Sequence, residues 1–379
     1  MKTTRWAREL SRLEAGHRPD KSGWSEIVRE APDHVLREAA DRVRQSKHRG
    51  GRVGYIVDRN VNYTNACSAE CTFCAFHRRE GSEDVYVLSF DDIFRKVDET
   101  IRAGGSGILF QGGLNPRIPL SWHLELLSKL KSTFKAYLHC YSPPEIWHLS
   151  QISGTSPREV LARLRDAGLD SMPGGGAEIL VESVRARRTR KCTVPQWIAV
   201  TKEAHRLDIV TTATMVLGLG ESWSDRLDHL EEIRRIQAET AGIAAFIPWT
   251  FQAGNTILGQ EIRQPIGETE YLRWLATSRL YLDNVPHVQV SRVTQGLAVA
   301  SQGLTWGAND IGSVMMEENV VRAAGAHHDI TEPSLIRAIQ EAGFVPCTRN
   351  GGFVPLVDYE KGLLVSPSTL PAGPRPVIG

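Results

Sequence analysis

The sequence has no long apolar run. Its 379 residues contain no stretch of about 18 apolar side chains, the length that a membrane-spanning helix requires. The first 50 residues are charged and lack the apolar core of a signal peptide. We therefore expect a cytoplasmic protein that makes no contact with a membrane.

The sequence also lacks an excess of charge, and it has few cysteines. Lys plus Arg (45) balance Asp plus Glu (44), so we expect no basic surface and no nucleic-acid partner. Six cysteines are too few for a disulfide scaffold in a chain of this length, and the cytoplasm would keep them reduced. Three of the six fall between positions 67 and 74, a clustering that in a reducing compartment indicates a metal site.

From residue 53 onward, short apolar segments alternate with longer segments of helical period. Eight strands alternating with helices predict an α/β fold with a (β/α)8-type TIM barrel, the alternative being an open doubly wound sheet. Ser89, Ser156 and Thr193 have the sequence context of helix N-caps, which supports the assignment. The predicted strands cover residues 54–57, 107–111, 136–140, 169–172, 211–216, 243–248, 287–290 and 303–306.

The pattern divides the chain into three parts. Residues 1–50 are predicted to be an N-terminal helical extension, and residues 51–310 the barrel. Residues 311–379 form a C-terminal extension, with helices predicted over 316–324 and 332–342 and a tail rich in glycine and proline from residue 350. No internal repeat interrupts this order.

The central motif is the cysteine triplet Cys67, Cys71 and Cys74, with the spacing C-x3-C-x2-C. Three thiolates on one loop can bind three irons of a [4Fe-4S] cluster and leave the fourth iron open to the amino and carboxylate groups of S-adenosylmethionine (SAM). Electron transfer from such a cluster splits SAM into methionine and a 5′-deoxyadenosyl radical. Because the triplet follows the first predicted strand, we expect it at the carboxyl-terminal mouth of the barrel.

Zinc is the main alternative for these cysteines. His77 lies three residues after Cys74, and three cysteines with one histidine are a common zinc set. The chain would then be a zinc-stabilised binding module without catalysis. Brown protein that contains iron and sulfide would support the cluster, and colourless protein with one zinc would support the module.

Other strand ends are rich in glycine or polar residues. Gly112 and Gly113 allow backbone to approach a ligand, such as the amino group of SAM, although a plain tight turn is the alternative. Glu178 can bind ribose hydroxyls, or it can be a helix N-terminal residue favoured by the helix dipole. Trp249 and Phe251 are candidate walls for a ring-bearing substrate, with core packing as the alternative.

These residues carry a family resemblance. The segment 62–65 (Asn-Tyr-Thr-Asn), the Cys-Ala-Phe at 74–76 and the Gly-Gly-Leu-Asn-Pro at 112–116 resemble the menaquinone and deazaflavin branch of radical SAM enzymes. Further similar segments are Ser-Pro-Pro-Glu-Ile at 142–146, Ala-Gly-Leu-Asp-Ser at 167–171, Pro-Gly-Gly-Gly-Ala-Glu-Ile at 173–179 and Phe-Ile-Pro-Trp-Thr-Phe-Gln at 246–252. Relatives in sister groups often carry Gly-His-x-Glu after the fifth strand, but Leu219 stands at that histidine position, so the resemblance assigns no histidine there.

The resemblance implies a site and a reaction. Within the branch it is strongest to the enzymes that cyclise dehypoxanthine futalosine in menaquinone biosynthesis by the futalosine pathway. It implies hydrogen abstraction from the ribose C4′, addition of the ribosyl radical to the benzoate ring, and loss of an electron and a proton. Aminofutalosine synthase and the deazaflavin synthase subunits are the alternatives.

The same resemblance implies an electron donor such as flavodoxin or ferredoxin and leaves the catalytic residues unknown. Phe76 is expected beside the adenine. The full set of expected SAM contacts is Phe76, Gln111, Gly112, Gly113, Ser142 and Glu178, next to the cluster ligands Cys67, Cys71 and Cys74.

Overall fold

A computed structural model describes residues 4–262, 264–360 and 363–365 of the chain. Its strands are β1 Arg52–Ile56, β2 Asp58–Asn62, β3 Gly107–Gln111, β4 Tyr137–Cys140, β5 Ser171–Met172, β6 Val210–Leu217, β7 Ile243–Thr250, β8 His287–Val288, β9 Asp310–Ser313, β10 Val345–Arg349, β11 Pro355–Glu360 and β12 Leu363–Val365. Its helices are α1 Arg5–Glu14, α2 Lys21–Glu30, α3 Asp33–Lys47, α4 Phe90–Arg102, α5 Leu120–Thr133, α6 Pro143–Ser153, α7 Pro157–Asp166, α8 Glu182–Arg185, α9 Val194–Arg206, α10 Trp223–Thr240, α11 Ile257–Glu261, α12 Glu268–Tyr281, α13 Arg292–Gly303, α14 Val320–Ala323 and α15 Glu332–Glu341.

Parallel strands form a closed barrel. Strands β2 to β8 are hydrogen-bonded in chain order in one sheet, and β1 pairs in parallel with β9 and β10 in a second. Only Val57 separates β1 from β2, so the two act as one bent strand that belongs to both sheets. A parallel bridge between Gln289 and Asp310 joins β8 to β9 and completes the circle. The prediction of a (β/α)8-type barrel is therefore confirmed, and the open doubly wound sheet is excluded.

Two sequence predictions about strands and helices are wrong. Residues 303–306 form the end of α13 and a 3-10 turn, and the strand that closes the barrel is β9. A short apolar run does not distinguish strand from helix by periodicity, which explains the error. The helix predicted over 316–324 is reduced to α14, where the Glu318 carboxylate accepts from the N–H groups of Val320 and Val321.

Other local predictions hold. Ser89, Ser156 and Thr193 are N-caps whose side chains accept from backbone N–H groups three residues later. The helix predicted over 332–342 is present as α15. The tail predicted from residue 350 contains β11, which pairs antiparallel with β10. Residues 361–362 and 366–379 of this tail lie outside the described residues.

The N-terminal segment forms three helices that pack on the outside of the barrel. Helix α3 lies against α12 and α2 against α10, and Trp24 contacts Tyr281 with 4.7 Å between ring centroids. The three-part division stays a prediction. Strand β10, which falls in the segment 311–379, pairs with β1 of the barrel. Among the described residues, no helix combines the length and the apolar character needed to cross a membrane.

A buried ion pair joins three strands of the barrel. The Arg349 guanidinium on β10 binds the Asp310 carboxylate on β9 at 2.9 Å and donates to Gln289 beside β8 at 3.0 Å. Both charged side chains are less than 10% exposed. Gly54 on β1 lies so close that a Cβ there would be 2.3 Å from Asp310 Oδ2, and only glycine leaves room for the pair.

We predict that Arg349→Met destabilises the protein by about 3–5 kcal/mol, because it leaves the Asp310 carboxylate buried without its cation. Urea unfolding followed by circular dichroism measures the change. Arg102→Met, which removes a solvent-exposed pair with Asp98, is the matched control and should leave the midpoint nearly unchanged. Equal stability of the Arg349 variant and the wild type would show that the barrel does not need this pair.

Candidate active site

The three clustered cysteines lie on the loop that follows β2, at the carboxyl ends of the barrel strands. Backbone hydrogen bonds fix this loop to itself and to the connection between α8 and α9. Cys67 N donates to Arg78 O at 3.0 Å within the loop, and Thr72 N donates to Arg188 O at 2.9 Å. Arg190 N donates to Ala69 O at 3.0 Å, so the connection between α8 and α9 supports the cysteine loop from the side.

The thiols have the surroundings that a cluster ligand needs. Cys67 Sγ accepts from Leu114 N at 3.3 Å, and Cys71 Sγ lies 3.0 Å from Thr189 Oγ1. Burial raises the pKa of Cys71 to about 12, so this thiol keeps its proton until a metal displaces it. Hydrogen bonds to sulfur are one means by which proteins tune iron–sulfur clusters.

The described residues contain no pre-formed site for a single metal ion. No three histidine, cysteine, aspartate or glutamate side chains among them stand close enough to coordinate one ion. A tetrahedral zinc site with Zn–S bonds of about 2.3 Å needs sulfurs roughly 4 Å apart. A cubane binds each cysteine to a different iron and so accepts a wider spacing. The donor set fits a cluster better than it fits zinc.

All nine predicted site residues line one cavity of about 220 Å³. They come from the loops after β2, β3, β4 and β5, which meet at one mouth of the barrel. The structure thus brings the whole predicted set together, while the roles of the residues in binding stay predictions. The nine are Cys67, Cys71, Cys74, Phe76, Gln111, Gly112, Gly113, Ser142 and Glu178.

The paired glycines after β3 allow two loops to pack closely. A Cβ on Gly113 would be 2.1 Å from Ala66 O, and one on Gly112 would be 2.5 Å from the Tyr63 ring. Their N–H groups are already used, since Gly112 N donates to Glu145 and Gly113 N to Thr64 O. A bound ammonium group would therefore find carbonyl oxygens at this loop.

Glu178 lies in the loop between β5 and α8 with a φ of 43°. Its carboxylate is buried and binds Arg185 at 2.9 Å and Lys191 at 2.7 Å. Burial raises the pKa of Glu178, but the two cations outweigh it and hold the pKa below its usual value. Helix α8 begins only at Glu182, so the alternative of a helix N-terminal residue is wrong.

Sequence reasoning missed Lys191, which lines the cavity beside Glu178. It lies on the connection before α9, where no motif marks it. Its Nζ is 5.6 Å from the centroid of the Phe73 ring, so it also contacts the cysteine loop. The only available signal was the basic run at 187–191, which resembles an ordinary solvated segment.

Glu145 is the second buried carboxyl group in the cavity wall. It accepts from Gly112 N at 3.0 Å, from the Tyr63 hydroxyl at 3.0 Å and from the Ser142 hydroxyl at 2.6 Å. Burial raises the pKa of Glu145 to about 7. In the sequence, Glu145 follows two prolines and is typical of a glutamate in the first turn of a helix. The sequence therefore gives no sign that its carboxyl group lines the cavity.

Aromatic side chains form a further part of the cavity wall. Phe73, Phe76, Trp249 and Phe251 line the cavity. Phe251 also packs in a small apolar cluster with Leu219 and Leu258. This side chain therefore belongs both to the core and to the cavity wall. The indole Nε1 of Trp249 is buried and has no hydrogen-bond partner within the described part of the chain. Buried indole N–H groups usually find an acceptor, and a molecule in this cavity would supply one.

Known proteins resemble this chain over most of its length. Cyclic dehypoxanthine futalosine synthases from Halalkalibacterium halodurans and Streptomyces coelicolor are 43% and 38% identical, covering 85% and 93% of this chain and 87% and 89% of theirs. An aminodeoxyfutalosine synthase from Thermus thermophilus is 37% identical, covering 83% of this chain and 86% of its own. The relatives thus include the cyclising enzymes and one sister activity.

Comparisons of family and fold agree with this. A crystal structure of methylornithine synthase has a TM-score of 0.71 at 15% identity, covers 89% of this chain and 96% of that one, and shows the fold alone. Residues 61–233 match the radical SAM superfamily, and residues 240–360 match the CofH/MqnC C-terminal region. The resemblance drawn from the motifs is confirmed: the chain belongs to the radical SAM superfamily and, within it, to the family that includes the cyclic dehypoxanthine futalosine synthases.

Proposed function

We propose that this enzyme cyclises dehypoxanthine futalosine in the futalosine pathway to menaquinone. The observation that carries the proposal is the single cavity in which the three cysteines, Glu178 and the aromatic wall meet. A radical generated at the cysteines would arise beside a bound aromatic substrate. The two relatives named for this activity support the choice over the sister activities.

Membership of the radical SAM superfamily implies a [4Fe-4S] cluster and SAM. Cys67, Cys71 and Cys74 would hold the cluster, and their thiol surroundings fit it. When bound, the cluster and SAM supply the 5′-deoxyadenosyl radical that removes hydrogen from the ribose C4′. An electron donor such as flavodoxin or ferredoxin would deliver the electron.

Six residues of this chain would orient SAM. The loop at Gly112 and Gly113 would receive the ammonium group through acceptor oxygens, because both of its N–H groups are already used. The Glu178 carboxylate, fixed by its two cations, keeps lone pairs for ribose hydroxyls. Phe76 offers a ring face to the adenine. Gln111 and Ser142 complete the contacts from the adjacent strand ends.

Two loops that distinguish the subgroup touch each other in the cavity wall. A Cβ on Gly176 would be 2.2 Å from Pro144, so the triple-glycine segment is fitted to the Ser-Pro-Pro-Glu segment. A Cβ on Gly175 would be 2.9 Å from Gln111 Nε2. These contacts help to set the shape of the cavity, in which the benzoate ring would lie against the aromatic side chains. Holding the two reacting carbons close is the main contribution of such a cavity.

We predict that Cys71→Ala abolishes reductive cleavage of SAM, because the cluster loses one of its three ligands. Anaerobic reconstitution followed by iron and sulfide analysis and by deoxyadenosine assay measures the effect. Cys347→Ala, at a buried cysteine on β10, is the control and should keep both cluster and activity. Deoxyadenosine formation by the Cys71 variant at the wild-type rate would refute the assignment.

We predict that Glu178→Gln weakens SAM binding by about tenfold, because a charge-assisted hydrogen bond to the ribose is replaced by a neutral one. Cluster content should stay unchanged. Equilibrium dialysis with reconstituted protein measures the affinity. The matched control is Glu261→Gln, which changes a carboxylate on α11 that pairs with Arg188. An unchanged SAM affinity in the Glu178 variant would remove this residue from the site.

The substrate is tested by giving the enzyme each of two candidate substrates. We expect deoxyadenosine when the enzyme receives dehypoxanthine futalosine, SAM and reductant, together with a product lighter than the substrate by two hydrogens. The enolpyruvyl benzoate used by the sister enzyme should give neither. Mass spectrometry of both reactions decides the matter, since an adduct that retains the adenosyl group would establish aminofutalosine synthesis instead.

A further inference from the structure

The proposed cyclisation removes two hydrogens from the substrate by different routes. The first leaves the ribose C4′ as a hydrogen atom and ends in the methyl group of 5′-deoxyadenosine. The second leaves the attacked ring carbon as a proton. A substrate that fills the cavity displaces the water that would accept this proton, so a side chain in the wall must accept it.

Two carboxyl groups line the cavity among the described residues, and they differ in their partners. Glu178 is bound to Arg185 and Lys191, which hold it ionised and make it a weak base. Glu145 has three neutral hydrogen-bond donors and no cation in contact. Burial without a cation raises its pKa to about 7, the range in which a carboxylate is an effective general base.

A second, small cavity lies on the other side of Glu145. Its volume is about 10 Å³, roughly the space of one water molecule. His148 lines it, and the Nε2 of this histidine is buried with no partner in the described part of the chain. Glu145 and His148 are three residues apart on α6, which puts them on the same helix face. His148 as a whole is only half-buried, so it reaches solvent.

We propose that Glu145 accepts the ring proton and passes it through the second cavity to His148, which releases it to solvent. This rests on the proposed cyclisation. The ring C–H bond breaks, its electron pair stays in the ring, and an O–H bond forms on Glu145. The one surplus electron of the ring leaves to a one-electron acceptor of the iron–sulfur or flavin class. Tyr63 and Ser142 hold the carboxylate in position.

The pH dependence of Glu145 depends on the ionisable groups near it, which several elements contribute. No cation is in contact with Glu145. Lys191 lowers the pKa of Glu145, but its effect is the smallest of those that act on this group. Wild-type product formation should therefore fall as the pH drops through about 7, where Glu145 gains a proton. The surrounding groups are Tyr63 after β2, His123 on α5, Cys140 and Tyr141 at β4, His148 on α6 and Lys191 before α9.

Glu145→Gln tests the proton acceptor, because the amide keeps the shape and can still accept from Gly112. In single-turnover reactions with dehypoxanthine futalosine we expect SAM affinity and deoxyadenosine formation within about twofold of wild type. The cyclised product should form about 100-fold more slowly, the usual effect of losing a general base, and its rate should no longer change near pH 7. A loss of SAM affinity would show that Glu145 binds SAM, and an unchanged product rate would also overturn the proposal.

His148→Ala tests the exit step. We expect product formation to slow by about tenfold while deoxyadenosine formation persists, and imidazole added to the buffer should restore it. His34→Ala, at an exposed histidine on α3 that lines neither cavity, is the control and should show neither effect. An absence of imidazole rescue would refute the role of His148. Wild-type enzyme that yields no cyclised product would instead refute the proposed function.

Discussion

The site depends on one structural constraint, the closure of the parallel barrel along the bent strand formed by β1 and β2. The lower half of this strand pairs with β9 and β10, and the upper half pairs with β3. Beyond β9, Val314 N donates to Ile56 O and Met316 N to Asp58 O, so the same alignment continues to the mouth. This pairing puts the end of β2 beside the end of β3. The cysteine loop and the paired glycines then lie close enough for Gly113 to contact Ala66.

Sequence could predict those features whose signal is local. The cysteine spacing, the glycine pairs and the helix N-caps each depend on neighbouring residues, and the parallel barrel then brings the strand ends to one mouth. The sequence pattern predicts only the first half of the bent strand, because Asp58, Asn60 and Asn62 in the second half are polar. They are buried and satisfied inside the fold, where Asp58 accepts from Ser313 and Asn62 donates to Gln111 O. These hydrogen-bond partners are distant in the sequence, so no local pattern indicates that the three polar side chains are buried.

The two buried carboxyl groups show why the rest of the site could not be predicted. Both glutamates follow short strands, Glu145 in the first turn of α6 and Glu178 in the loop before α8. In the structure, two cations lower the pKa of Glu178, whereas burial among neutral donors raises that of Glu145. The difference depends on Lys191 and Arg185, which approach one carboxyl group and not the other. No spacing rule contains that information, because the cations reach Glu178 across a loop.

The same geometry indicates where sister enzymes of this family would diverge. The cysteine loop is fixed from two sides, by the glycines after β3 and by backbone bonds to Arg188 and Arg190. A change there would disturb the loop that carries the three cysteines. The contact between Gly176 and Pro144 is a different kind of feature, since it shapes the wall without touching the cysteines. A side chain at Gly176 would have to displace Pro144 and would change the wall away from the cysteines. Different substrates can therefore be accommodated by changing this contact while the radical chemistry is preserved.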